Sequence, residues 1–146
     1  MMKLEKLSIN DYDRILEIWK ETELSVGSSD TKKGVERMIK RNPNLCFICK
    51  IDETIVGVVM GGFDGRRGYV HHLAVDLEYQ NQGVGKLLMD KLIKQFKKKQ
   101  VHKVHLFIEK RNIEVINFYK NLGWNLRDDL IMMSYIPDKG IYKSSI

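Results

Sequence analysis

The stretch Leu73-Ala74-Val75-Asp76-Leu77-Glu78-Tyr79-Gln80-Asn81-Gln82-Gly83-Val84-Gly85-Lys86 constrains this chain more than any other. An apolar run of strand character ends, a polar loop follows, and two glycines one residue apart open a helix. That helix, roughly Gly83 to Lys99, is long and amphipathic. Val84, Leu88, Leu92 and Phe96 form an i, i+4 row widened by Leu87 and Ile93, with Lys86, Lys94, Lys97 and Lys98 opposite. A strand that empties into a helix with one face to bury commits the chain to layered α/β packing. Glycine there lets backbone N–H groups approach a ligand, and the helix N-terminus adds partial positive charge. The loop reads as an anion cradle.

The flanking sequence supplies the layers. Lys3 to Ile9 alternates as a short strand, and Asn10 or Asp11 can cap a helix with Ile15, Leu16, Ile18 and Trp19 on its apolar face. After a small polar loop, Val26 to Asp30, a second helix runs to about Arg41, where Asn42-Pro43 stops it. Three strand-like runs follow, Leu45 to Ile51, Ile55 to Phe63 and Tyr69 to Val75, joined by hairpin-sized turns. Beyond the long helix, Val101 to Ile108 reads as a strand, Asn112 to Leu122 as a helix stopped by Gly123, and Leu130 to Ile136 as a closing strand. The crossover from 69 to 108 should set its two strands parallel. We therefore expect one mixed α/β (α+β) domain over residues 1–146, with 137–146 a C-terminal tail. Its sheet should be mostly antiparallel with one parallel pair, and helices should cover both faces.

Composition removes several classes. Apolar residues make up 43% and prolines number 2, so a real core is available and wholesale disorder is not. No run approaches the length of a membrane span, and the N-terminal residues lack the apolar core of a signal peptide. Two cysteines build no disulfide scaffold, which points to a reducing, cytoplasmic setting. The net charge of +6 is localised: Lys86 to Arg111 holds nine basic residues against two acidic ones. Such a patch suits nucleic acid, an acidic membrane surface or a phosphate-bearing small molecule, and a solvated helix face equally.

Three phosphate-binding patterns compete for the loop. A Walker-type loop needs Gly at position 80 and Ser or Thr at 87, where Gln80 and Leu87 stand. A dinucleotide fingerprint needs Gly at 88, where Leu88 stands. The third pattern, Gln/Arg-x-x-Gly-x-Gly/Ala, fits Gln80 to Gly85. A second block follows: Asn112, Val115, Ile116, Tyr119, Leu122, Gly123 and Trp124 match Asn-x-x-Ala-x-x-x-Tyr-x-x-x-Gly-Phe, with Val115 for Ala and Trp124 for Phe. With these two blocks and its order of elements over residues 2–136, the chain resembles the GNAT superfamily of acyl-CoA-dependent N-acetyltransferases. It departs from the pattern at Gln80-Asn81-Gln82, where family loops commonly carry Arg or Lys.

The resemblance implies transfer of an acetyl group from acetyl-CoA to a primary amine by direct attack in a ternary complex, without metal. The implied cosubstrate-binding set is Leu73, Ala74 and Val75 along the pantetheine arm, Gln80 to Lys86 (including Asn81, Gln82, Gly83, Val84 and Gly85) at the pyrophosphate, and Asn112, Val115, Phe118 and Tyr119 from the second block. Tyr119 is the implied general acid, since a phenol is protonated at neutral pH and can supply the leaving thiolate. On residue pattern alone it would be an interior tyrosine beside Ile116 and Leu122. The family's strand carboxylate is missing from Tyr69 to Val75, and His71 and His72 stand there as candidate bases. Because adjacent strand residues face opposite ways, at most one should face the substrate. Ordinary sheet residues are the plain alternative for both, and Glu109 or water-mediated proton loss are open alternatives for the base.

Other signals carry less. Cys46-Phe47-Ile48-Cys49 with His102 and His105 has the wrong spacing for a zinc finger, and cysteines three apart on a strand point to opposite faces. The Gly61-Gly62 pair suggests strand distortion or close ligand approach, and Asp64 and Arg66 suggest a turn. A catalytically idle acyl-CoA-binding or sensing module is an alternative reading. Nucleic-acid binding lacks an aromatic-rich basic surface motif and is the weakest of the three. The amine acceptor, small molecule or peptide, is unspecified, and a homodimer is admitted by analogy alone.

Overall fold

Apolar side chains on both alternating positions of residues 46–63 mark strands buried on two faces, and the molecule is built around them. The computed structural model describes residues 1–144. Five strands, β1 (Met2–Lys6), β2 (Cys46–Ile51), β3 (Thr54–Phe63), β4 (Gly68–Val75) and β5 (Val104–Leu106), form one sheet in sequence order. The first four pair antiparallel, and β4 pairs parallel with β5. Helices α1 (Tyr12–Glu21) and α2 (Lys32–Arg41) cover one face. Helices α3 (Val84–Lys98) and α4 (Ile116–Asn121) cover the other. The expected single α/β domain, with a mixed sheet and helices on both faces, is what the chain adopts.

Each face has its own core. Ile15, Ile18 and Trp19 of α1 pack with Val58, Met60 and Ala74, whereas Leu88, Leu92 and Phe96 of α3 pack with Val56, Val59 and Val70. Cys46 and Cys49 fall in different cores, as the strand parity requires. The approach of α3 depends on missing side chains. A Cβ on Gly61 would stand 2.5 Å from Leu92 Cδ1, and one on Gly68 would stand 2.9 Å from Phe96 Cε1. Gly61 therefore admits a helix, rather than distorting the strand or admitting a ligand.

Several boundaries differ from expectation, each for a local reason. Strand β1 stops at Lys6 because Ser8 caps a 3-10 turn ahead of α1; Asp11 holds the N-cap position of α1 as expected, but its side chain serves Ser8. The Ser8 hydroxyl accepts from the Asn10 N–H and the Asp11 carboxylate accepts from the Ser8 N–H, closing a 3-10 turn before α1. The helix expected from Asn112 is 3-10 from Lys110 to Val115, with Asn112 off helical geometry at φ −110, and becomes α-helical only at Ile116. Gly123, at φ +96, ends it as expected. Strand β5 covers only three residues of the expected 101–108. The closing strand expected at Leu130 to Ile136 is absent: this run is exposed and irregular. Of the expected tail, 137–146, the last two positions lie outside the described residues. No helix among the described residues is long and apolar enough to cross a membrane.

Candidate active site

β4 and β5 run together only across Gly68–Val70 and Val104–Leu106. β4 then continues to Val75 paired with β3 alone, so from His71 onward no strand lies along its other edge among the described residues. The strands part into a cleft whose wall is a strip of backbone N–H and C=O groups from residues 71–75. An extended ligand can add to such an edge as a strand would.

A bulge shapes this wall. Val58 and Met60 of β3 have one residue between them, but their partners Ala74 and His71 have two. The extra residue brings His72 to φ +50 and resets the alternation of β4. Val70 and Ala74, four apart, would share a face in a regular strand, yet they lie in opposite cores. The expectation that at most one histidine faces a given side fails for this reason. The His71 ring lies 6.4 Å from that of Tyr69 and beside Gly62 and Met38 of the α2 side. The His72 ring lies 4.8 Å from that of Trp19 of α1. Both point to the α1/α2 face.

The two rings differ in their partners. His72 Nε2 is 2.8 Å from Asp30 Oδ1, with side chains only 20% and 15% exposed. Asp30 is held in turn: its Oδ2 accepts from the Gly27 N–H and its carbonyl accepts from the Tyr12 hydroxyl. Burial alone would raise the Asp30 carboxyl, but the His72 hydrogen bond and the Gly27 N–H outweigh it and hold it below the usual carboxylate range. His71 reaches solvent yet is surrounded by protein. Desolvation and the neighbouring His72 lower its pKa against the pull of Asp30. Sequence reasoning did not join Asp30 to His72, because Asp30 stands 42 residues from its partner in a polar loop.

The loop after β4 is anchored from beneath. Asp76 is buried, accepts from the Glu78 N–H and pairs with Arg14 of α1, whose Nε also donates to the Ile55 carbonyl. Gln80 Nε2 donates to the Val75 carbonyl. Asn81 (φ +62) and Gly83 (φ +88) take the left-handed conformation that turns the chain into α3. No side chain caps α3, and Gln80, Asn81, Gln82 and Gly83 are exposed, so the first-turn amides face outward. Lys86 Nζ reaches along the helix to Asp90, 2.7 Å away, instead of over the loop.

The second sequence block comes up against the first. A Cβ on Gly85 would stand 3.2 Å from Phe118 Cζ and 3.7 Å from Val75 Cγ2, so glycine there lets α4 close on the loop. Tyr119, next along α4, packs between Phe118 and Trp124, at 5.1 and 6.0 Å between ring centres. Burial in this apolar surround pushes its phenol up to about 12. Asn112 and Val115 lie half-buried in the 3-10 turn that leads into α4. Glu109, by contrast, is exposed, and its ties to Ser25 and Arg111 hold its carboxyl low, which makes it a poor base. Among the described residues no cluster of His, Cys, Asp or Glu is able to hold a metal ion.

The whole arrangement has known counterparts. The model of the acetyltransferase (GNAT) family matches residues 12–124. An acetyltransferase of Yersinia pestis (strain Pestoides F) is 27% identical over 131 residues, covering 90% of this chain and 93% of that protein. Among solved structures, Ard1 from Thermoplasma volcanium superposes with a TM-score of 0.79 at 20% identity, covering 86% of this chain and 84% of that one. The PaiA N-acetyltransferase from Thermoplasma acidophilum, solved in complex with coenzyme A, superposes with a TM-score of 0.76 at 20% identity, covering 88% and 92%.

Proposed function

From the premise that the chain belongs to the GNAT acetyltransferase family, we propose that it moves an acetyl group from acetyl-CoA to a primary amine by direct attack. One observation carries this reading most: β4 parts from β5 after Val70, and its free edge leads straight into the outward-facing amides of the glycine loop. In this reading the edge of Leu73, Ala74 and Val75 hydrogen-bonds the pantetheine arm, and the amides of Gln82 to Lys86 receive the pyrophosphate. The missing loop cations leave backbone dipoles to do most of this work. Lys86 can join them, because an exposed pair such as that with Asp90 is worth only about 0–1 kcal/mol. Asn112, Val115 and Phe118 line the arm from the α4 side.

His72 is the general base. It accepts the proton of the incoming ammonium, and Asp30 fixes the ring and stabilises the imidazolium that forms. The amine nitrogen then attacks the thioester carbonyl, and a backbone N–H of the bulged segment stabilises the oxyanion. The C–S bond breaks, the Tyr119 phenol gives its proton to the departing thiolate, and the new amide nitrogen releases its second proton to solvent. The products are the N-acetylated amine and free coenzyme A. Solvent returns the proton from His72 to Tyr119. His71 sits at the mouth of the same face and contacts the acceptor. The His72–Asp30 pair supplies the basic group that the carboxylate-free strand lacks, which favours catalysis over an idle acyl-CoA-binding module. Buried free thiols at Cys46 and Cys49 suit a cytoplasmic setting.

The test is thiol release from acetyl-CoA across a panel of small amines, amino acids, peptide N-termini and lysine side chains. Turnover with at least one class is expected. Calorimetry that finds no acetyl-CoA binding at millimolar concentration would defeat the proposal, whereas binding without turnover on any class would leave the idle module.

A further inference from the structure

The sheet face that carries His72 continues past the helices that cover it. Gly62 of β3, Tyr69 of β4 and His105 of β5 are cross-strand partners in one row. A Cβ on Gly62 would stand 3.2 Å from Met38 of α2 and 4.0 Å from His71 Nε2, which puts the row on the α1/α2 side. Tyr69 and His105 belong to neither apolar core and are only half-buried. Their rings make a surface of their own. Tyr69 lies 5.9 Å from His105 between ring centres and 6.4 Å from His71, the latter pair stacked at 28°. Burial and the neighbouring His72 lower the His71 pKa, so at neutral pH it presents an uncharged ring. Half-wet aromatic faces of this kind gain by stacking on a flat ligand.

The two ends of the row differ in charge. One end is the His72–Asp30 pair, about 10 Å of strand from Tyr69. The other is cationic. Arg67 and Lys103 each stand one residue before the Gly68–Val104 pair, and the Gly68 N–H donates to the Lys103 carbonyl, so the two cations enter the sheet side by side. Both share parity with Tyr69 and His105, and after burial their charges help to lower the His105 pKa. Neither takes part in an ion pair among the described residues. The carboxylates nearby are engaged: Asp129 by Arg127, and Asp64 by the N–H groups of Arg66 and Arg67.

We propose that this row is the acceptor subsite, and that it selects a primary amine on a short linker from an aromatic ring bearing an acidic group on its far side. The proposal rests on the acetyl-transfer reading for what happens to the amine. The nitrogen sits at His72, the ring stacks over His71 and Tyr69, and the acid meets Arg67 and Lys103. Each part of the acceptor then has a matching group in strand order, and the two cations gain the counter-charge they lack.

Three acceptors separate these features: para-aminoethylbenzoate has ring and acid, phenethylamine the ring alone, and aminocaproate the acid alone. Thiol release should give the benzoate a kcat/KM about tenfold or more above each of the others. Tyr69→Ala should raise KM for the two ring-bearing amines about tenfold relative to aminocaproate. Arg67→Gln combined with Lys103→Gln should erase the advantage of the benzoate over phenethylamine. Equal use of all three amines overturns the subsite, as does a preference that survives these variants. Calorimetry of the benzoate against the protein, with and without coenzyme A, separates the subsite from acetyl transfer. Binding that Tyr69→Ala weakens supports the subsite even where no amine turns over, and an absence of benzoate binding overturns it even where another amine is acetylated. If Tyr69→Ala fails to fold, the wild-type series and the charge variant decide.

Discussion

At the scale of single residues, the candidate chemistry rests on two side chains in opposed environments. Tyr119 lies in apolar surroundings that favour its neutral phenol, and His72 lies hydrogen-bonded to the Asp30 carboxylate. Replacing Tyr119 by Phe keeps the packing against Phe118 and Trp124 and removes only the proton donor. We expect kcat to fall about 10²-fold, with acetyl-CoA affinity unchanged by calorimetry. With its phenol pushed up to about 12, the wild type should show no alkaline loss of rate from this group below about pH 10. His72→Gln should lower kcat/KM by about 10²–10³-fold. Asp30→Asn acts through His72, so it should lower kcat while leaving acetyl-CoA affinity unchanged by calorimetry. Neither Asp30 nor its partnership is visible in the local sequence. The polar loop from Val26 to Asp30 reads as a connection, and only the packing of α1 and α2 on the sheet brings it to β4.

At the scale of elements, the sheet and α3 meet through glycine. Leu92 Cδ1 and the Leu45 carbonyl occupy the space that a side chain on Gly61 would need. Gly61→Ala must displace backbone as well as side chain, and we expect a loss of about 1–3 kcal/mol in urea-melt stability. Leu88→Ala, in the same core at 0% exposure, should cost about 2–5 kcal/mol. The long helix and the antiparallel strands were legible because their apolar periods run over many residues and agree with their caps and turns. The bulge at His72 was not. It is one residue counted against β3, so the sequence of β4 alone carries no sign of it. That single residue decides which way two candidate catalytic side chains point.

For the molecule as a whole, the ionisable groups facing the cleft set an acid limit. The His71 pKa is lowered in the folded protein, so its contribution is complete above its ordinary value of 6.5 and is lost as pH falls from there through the lowered one. Asp30 and Asp76 are carboxylates held low by their partners. Their contributions are complete above the ordinary 3.8 and disappear as pH falls below it. Thermal unfolding followed against pH should therefore show a shallow decline below about pH 6.5 and a steeper one below about pH 4. His71→Asn should reduce the shallow step, to which His105 also contributes, and leave the steep one.

What the sequence determined by itself is the set of elements that local chemistry can specify. These are the amphipathic α3, the glycine loop at its head, the meander that precedes it and the glycine stop after α4. Each depends on side-chain period, backbone conformation or capping within a few residues. What only the tertiary structure decided depends on pairing between distant segments: the insertion against β3 that turns both histidines to one face, the joining of Asp30 to His72, the brevity of β5, and the run from Leu130 to Ile136 left without a strand partner among the described residues. Strand character at 130–136 is written in its apolar residues, but a strand exists only when a neighbour accepts its hydrogen bonds, and that neighbour is a property of the assembled fold.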